Sequence, residues 1–284
     1  MVGKNSSLRD LLRLPQGPVD LTSFDSGAAP GYPGKGKDDA PARSEMIGEK
    51  LSELQERLYA NGRENPDFPR VLVILQGMDT SGKGGVIRHA IGMVDPQGID
   101  LKAFKQPTEE ERKHHFLWRI KKALPGPGMI GIFDRSQYED VLVVRVEDLV
   151  PQEEWEKRYD QINKFEADLA GSGVKIIKCF LHVGHEEQKG RLLERLQNPE
   201  KYWKYNPGDV DARKKWGDYR EAYEVLLEQC NTDEAPWYVV PADRKWYRNW
   251  AVAQLLLETL EEMDLSWPAA DFDVAKEIER VNKS

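Results

Sequence analysis

Cysteine is nearly absent from this chain: two in 284 residues, Cys179 in an apolar strand-like run and Cys230 near a helix end. Two isolated thiols supply neither a disulfide framework nor a zinc site, so both read as inert. Long apolar runs are also lacking. No stretch approaches the ~20 residues that a membrane-crossing helix needs, and the first residues have no signal-peptide core. The expectation is a cytoplasmic protein with no membrane partner. Positive net charge is missing as well: the formal value is −8, which argues against a general nucleic-acid binder. Any polyanion bound here must meet cations clustered in a pocket. No internal repeat emerges.

What is present is a soluble composition, 39% hydrophobic and 32% charged, with room for one large or two small domains. The most informative stretch is Arg70–Gly85, RVLVILQGMDTSGKGG. An apolar run, Val71 to Leu75, feeds a turn of glycines and one lysine, and Val86, Ile87, Ala90 and Ile91 continue at helix-compatible spacing. This reads as a strand, a phosphate loop and a helix. Glycines let several N–H groups converge on one point, and Lys83 adds a full charge. Gly77, Thr80, Ser81, Gly82 and Gly84 are the positions expected around bound phosphate. The hydroxyl residue that usually follows the lysine and ligates Mg²⁺ is replaced by Gly84, while Asp79 places a carboxylate inside the loop. A carboxylate there is explained by a metal facing it.

Along the chain, residues 1–44 are rich in Gly, Pro, Asp and Ser and read as an extended arm, lying over the core or partly disordered. A covering helix is expected over 43–59. Ile99–Phe104 can form a second strand, and Thr108 with Glu111 is a capping-box signature for a helix running to about Lys122. Met129–Asp134 is a buried-strand pattern ending in a carboxylate. Val141–Val146 is open to strand or helix. Helix is expected over 152–170, strand over Val174–Val183, helix through Leu196, strand over Pro236–Pro241, and helix from Arg244 to Met263 with Trp246, Trp250, Ala253, Leu257 and Leu260 on its core stripe. Alternating strands and helices predict an α/β fold: a central parallel sheet with helices on both faces, in one domain over 45–284.

Chemistry in such sheets collects at the C-terminal strand ends. Asp134 therefore shares an edge with Asp79 and Lys83, as a metal-ligating carboxylate or as a cap on the next helix, and Arg135 beside it can stabilise charge on a transferring phosphoryl group. Arg88, Lys105 and Arg119 are further cations that could reach a polyanion groove. The segment 189–220 holds Arg191 and Arg195 at i,i+4, with Leu192, Leu193 and Leu196 expected on the core side. Beyond it Lys201 and Lys204 lie among Trp203 and Tyr205. Few aliphatic residues occur there, so the stretch of about 198–228 reads as a mobile cationic lid or as a solvated helical hairpin.

With these residues in view, the chain resembles the polyphosphate kinase 2 family from about Leu21 to Leu265. The carriers are Gly77-Met-Asp-Thr-Ser-Gly-Lys-Gly-Gly, Phe104-Lys-Gln-Pro-Thr, Phe116-Leu-Trp-Arg-Ile, the run opening Phe133-Asp-Arg-Ser-Gln-Tyr-Glu-Asp, and Ala235-Pro-Trp-Tyr-Val-Val-Pro-Ala-Asp-Arg-Lys-Trp-Tyr-Arg-Asn. The resemblance implies a three-layer α/β/α P-loop kinase fold with a helical lid, a homo-oligomer, and Mg²⁺-dependent phosphoryl transfer between inorganic polyphosphate and AMP, ADP or ATP that favours nucleotide phosphorylation. It implies metal binding by Asp79 and Asp134, and catalytic roles for Lys83 and Arg135. Glu139, Arg191 and Arg195 are assigned to the nucleotide, and Arg88, Lys105, Arg119, Lys201 and Lys204 to polyphosphate. Tyr138-Glu139-Asp140 looks like the subgroup that phosphorylates AMP as well as ADP; Gln137 stands where His or Trp is usual, and His115 where Asp is. The rivals are an ATP-dependent nucleoside monophosphate kinase and a non-catalytic polyphosphate- or nucleotide-binding protein.

Overall fold

Four largely apolar segments and one exposed edge strand build the sheet: β1 (Arg70–Gln76), β2 (Ile99–Ala103), β3 (Ile130–Asp134), β4 (Val174–His182) and β5 (Trp237–Pro241), of which β2 is the exposed one. They run in the order β2-β3-β1-β4-β5, and every pairing is parallel. The computed structural model describes residues 7–284. Helices α1 (Leu8–Leu12) and α2 (Ala40–Glu64) precede β1, α3 (Lys83–His89) follows it, and α4 (Leu117–Lys121) precedes β3. Helices α5 (Glu139–Val146) and α6 (Gln152–Gly171) lie between β3 and β4. Helices α7 (His185–Gln197), α8 (Gly208–Lys214) and α9 (Trp216–Gln229) lie between β4 and β5, with α10 (Lys245–Glu262) and α11 (Val274–Asn282) last.

Side chains alternate along each strand, so one strand feeds two cores. Val71, Val73, Leu75, Ile177 and Cys179 pack with α2, α3 and α10. Leu72, Ile74, Ile176 and Phe180 pack with α5, α6 and α9. Apolar residues at both parities mean a sheet covered on both faces, and the layering is α/β/α as expected. Register Leu75↔Asp134 sets the end of β3 beside the end of β1.

Several elements sharpen or depart from the sequence reading. Of the two placements expected for the arm, residues 7–39 take the one over the core: Leu8 and Leu12 are buried, the Leu14 N–H donates to Trp237 O at 2.8 Å, and Arg13 bridges antiparallel to Tyr238. It therefore straps the β5 edge, while the arm's first six residues lie outside the described residues. Val141–Val146 is helical, with Glu139 and Asp140 in the first turn of α5 and Val141, Leu142 and Val144 buried. The Thr108–Glu111 capping box forms reciprocally, at 2.9 and 3.2 Å, yet it caps only a 3₁₀ turn, Glu111–Lys113. His114 is extended and its ring stacks on Trp118 at 4.1 Å, so helix resumes only at Leu117. Leu193 and Leu196 are exposed rather than core, although Leu192 is buried. Helix α11 was not foreseen. No described helix is long and apolar enough to cross a membrane.

Candidate active site

β1 opens into the loop Gly77–Gly82 because backbone there must take conformations closed to most residues. Gly77 and Gly82 have φ of 146° and 108°, and a Cβ on Gly77 would come within 2.6 Å of Leu181 O. Thr80, with φ 63°, is held left-handed despite its side chain. Helix α3 starts directly after the loop, its first N–H groups lacking intrahelical partners. The Thr80 and Ser81 hydroxyl oxygens are buried with no partner, so the loop holds polar atoms that only a ligand or solvent can satisfy. Lys83 is buried, and its Nζ donates to Gly77 O at 2.9 Å. Burial, then repulsion from Arg135, holds its pKa below the usual lysine value.

The end of β3 supplies the second half of the site. Arg135 has φ 65°, and its Nη2 donates to Asp79 Oδ1 at 2.9 Å while Nε lies 3.9 Å from Glu139 Oε2. Burial opposes its charge, but Glu139, Asp79 and Asp134 more than offset that and raise its pKa. Glu139 is raised above the usual carboxylate value by burial, against the pull of Arg135 and Lys83. Buried Gln76 steadies it: with the amide oxygen toward Ser136, the nitrogen donates to Glu139 Oε1 at 3.2 Å. Asp79 and Asp134 place two carboxylates, hard oxygen donors, on the same edge. Among the described residues no group of three or more His, Cys, Asp or Glu comes together, so a hard divalent cation held by these two carboxylates would need waters or phosphate oxygens beside them.

Asp79, Arg135 and Glu139 open onto a cavity of about 1520 Å³, walled on one side by Phe104, Lys105 and Arg119 and on the other by Asp209, Lys215 and Tyr219 of the lid. The predicted cations divide around it. Lys105 is exposed on the cavity wall. Arg119 reaches the wall too, though it is buried and bonded to Lys105 O at 2.8 Å and Asp140 Oδ2 at 3.3 Å. Arg88 sits exposed in the last turn of α3, away from the wall. Lys204 is exposed, its Nζ 4.9 Å from the Trp203 ring centre, whereas Lys201 pairs with Glu194, which also takes Lys245 at 3.0 Å. Those two lysines draw the Glu194 carboxyl down to about 2.

Arg191 departs most from expectation. It is buried behind the loop instead of reaching over it, with Nη1 on Thr80 O and Ser81 O at 2.9 and 3.1 Å. Its Nη2 takes Ala242 O and Asp243 O at 2.6 and 3.0 Å, and its Nε takes Glu187 at 2.8 Å. Carbonyl groups draw it inward, so it is unavailable to a nucleotide phosphate. Arg195, on the same helix, ties the lid together, bonding Lys204 O at 2.9 Å and Asp209 Oδ2 at 3.0 Å. The portion of the lid clear of the core is shorter than 198–228, because Ala222, Tyr223, Leu226 and Leu227 of α9 are core residues.

Sequence reasoning passed over three features. Asp209 comes into the cavity from the lid, its carboxyl raised by burial and by nearby Asp79. Arg248 donates to Ser81 O at 3.0 Å from beneath the loop. Lys178, fully buried in β4, bonds Glu166 Oε2, Tyr138 OH and Cys230 O at 2.7, 2.9 and 2.6 Å. Glu166 Oε1 also accepts from Tyr138 OH at 2.6 Å and Gln137 at 2.7 Å. This network pins the turn that carries Arg135 and Glu139. A lysine at the parity of Ile176 and Phe180 was the available signal.

A family profile described as Polyphosphate kinase 2 (PPK2) matches residues 35–268. The chain belongs to the polyphosphate kinase 2 family. It is 46% identical over 254 residues to the AMP/ADP-polyphosphate phosphotransferase of Meiothermus ruber, covering 89% of this chain and 93% of that one. It is 40% identical to the ADP-polyphosphate phosphotransferase of Rhodopseudomonas palustris, covering 88% of each. The crystal structure of polyphosphate kinase 2 from Arthrobacter aurescens TC1 superposes with a TM-score of 0.94 at 49% identity, covering 98% of both chains. Loop, cavity and lid all fall within that shared polyphosphate kinase 2 fold, and the chain is an enzyme of the kinase type.

Proposed function

We propose that the protein transfers a phosphoryl group between inorganic polyphosphate and AMP or ADP, favouring nucleotide phosphorylation. The observation that carries this reading is Arg135 held on Asp79 at the mouth of the large cavity, between a phosphate loop and a lid. The activities for which the two relatives are named support it. In the reaction an acceptor phosphate oxygen attacks the terminal phosphorus in line, the P–O–P link of the donor breaks, and the polyphosphate leaves one phosphate shorter. Such transfer needs alignment and charge neutralisation more than covalent help. Arg135 would neutralise charge on the moving group, Lys83 the donor phosphates once its ammonium leaves Gly77 O, and Glu139 would keep Arg135 aimed. Asp79 and Asp134 would hold Mg²⁺, which supplies Lewis-acid neutralisation of phosphate oxygens. The acceptor is already an anion, so no strong general base is required.

Purified protein with Mg²⁺ is offered AMP or ADP with either polyphosphate or ATP, and products are resolved by phosphorus NMR. The expected result is polyphosphate consumption with ADP and ATP appearing. ATP consumption beside untouched polyphosphate would instead indicate a nucleoside monophosphate kinase, and binding without Mg²⁺-dependent turnover a non-catalytic protein. Lys204→Ala is expected to raise the apparent KM for long polyphosphate about 3-fold at low salt, an effect that shrinks as salt rises, since polyanion affinity follows cation contacts; a KM unchanged at every salt level removes Lys204 from the channel. A cytoplasmic setting and homo-oligomeric assembly complete the proposal, the latter checked by light scattering.

A further inference from the structure

Two guanidinium groups lie under the phosphate loop, and the proposed chemistry uses neither. Arg191 from α7 and Arg248 from α10 are both buried and share one acceptor, Ser81 O, at 3.1 and 3.0 Å. Arg191 also takes Thr80 O at 2.9 Å. With the Ser81 carbonyl drawn down onto these cations, the Gly82 N–H lies on the opposite side of the same peptide, while the Ser81 N–H is already given to Met78 O at 3.1 Å. Two glycines make room for the arrangement. A Cβ on Gly82 would overlap the Arg248 guanidinium, and one on Gly85 would lie 2.5 Å from its Nη2. Gly85 has no left-handed φ to account for it, so the arginine beneath it is the reason for glycine there.

The charge on this pair is only partly neutralised. One carboxylate, Glu187, is bonded to it, through Arg191 Nε at 2.8 Å. The neighbouring Asp243 carboxylate is taken by the Gly184 N–H and the Ser26 hydroxyl at 2.8 and 2.7 Å. Arg248 Nε and Nη2 find only the neutral Asn249 amide oxygen, at 3.2 and 2.9 Å. Like charges held in a buried site repel strongly. A net positive site beneath a loop is unfavourable to the fold alone and favourable once a polyanion lies on the other side.

We propose that Arg191 and Arg248 act together as positioning residues beneath the loop, turning the Thr80 and Ser81 carbonyls inward and setting unneutralised positive charge under the polyphosphate donor. The proposal rests on the phosphoryl-transfer reading above and assigns these arginines to donor affinity, not to the acceptor. Burial and then Arg191 push the Arg248 guanidinium down to about 9, in keeping with a cation short of counter-charge.

Long-chain polyphosphate without nucleotide is titrated calorimetrically into wild type, Arg248→Gln, Arg248→Lys and Glu187→Gln, and KM for AMP is measured on each. Arg248→Gln is expected to weaken donor binding about 10-fold and flatten its salt dependence, leaving KM for AMP within about 2-fold, while Arg248→Lys recovers most of the donor affinity. Glu187→Gln removes counter-charge at a side chain 37% exposed and keeps an acceptor for Arg191 Nε, so donor binding should tighten about 2-fold. A purely structural role would give no gain there. Equal donor affinity in Arg248→Gln and wild type, or weaker binding in Glu187→Gln, overturns the proposal; if Arg248→Gln does not fold, Glu187→Gln decides alone. Wild type that binds polyphosphate but never transfers from it would defeat the functional reading and leave the arginine test intact.

Discussion

Asp134→Asn is expected to lower kcat by about 10³-fold, roughly 4 kcal/mol of transition-state stabilisation, with the melting temperature held within about 2 °C. Asparagine matches aspartate in size, and Asp134 ends a strand whose pairing with β1 and β2 is made by backbone groups. What changes is charge. Lys83 and Arg135 both lie in the field of Asp134, and with Asp79 it makes the pair of carboxylates proposed to hold the metal. Turnover measured at saturating Mg²⁺, polyphosphate and AMP, alongside thermal unfolding, checks this; near-wild-type kcat would remove the metal role.

Lys178→Met should be the most damaging single change to stability. The ammonium is fully buried with three oxygen partners, and removing it leaves Glu166 buried and uncompensated. Breaking one side of such a pair costs about 3–5 kcal/mol, which for a chain of this size corresponds to a fall of roughly 6–15 °C in melting temperature. The double variant Lys178→Met with Glu166→Gln should recover part of that loss, because the stranded charge is gone. Equal melting temperatures for the single and double variants would show that packing, and not the unpaired carboxylate, sets the effect. Both should turn over slowly even when folded, since Tyr138 loses the Lys178 ammonium and residue 166, which holds Gln137 and Tyr138, loses its own anchor.

The sheet was legible because its central strands carry apolar residues at both parities, and a phosphate loop because of its glycines, two of which, Gly77 and Gly82, take a positive φ. The placing of Asp79, Asp134 and Arg135 at one end of the sheet was legible as well, because they closely follow or end strands in the sequence; Glu139 was singled out by the family resemblance alone. Side-chain direction was not. Arg191 and Arg195 share an i,i+4 face in the sequence, yet one runs beneath the loop and the other into the lid, because what separates them is the position of carbonyls from Thr80 to Asp243. Thr108 and Glu111 gave a correct cap and a wrong helix length, since the cap is local while the stacking of His114 on Trp118 decides where helix can continue. Leu193 and Leu196 show the same limit: an aliphatic residue states a preference for burial, and the lid offers no wall to meet it.

The N-terminal strap along β5 has a bearing on how copies can meet. A parallel sheet has two open borders, and each is a template for another chain. With Leu14 bonded to Trp237 and Arg13 bridged to Tyr238, one border is closed from within. Among the described residues β2 alone ends the sheet unpaired on its outer side. Strand-to-strand contact can then join two molecules through that side once, and a third has nowhere to add, so the strap stops ribbon growth.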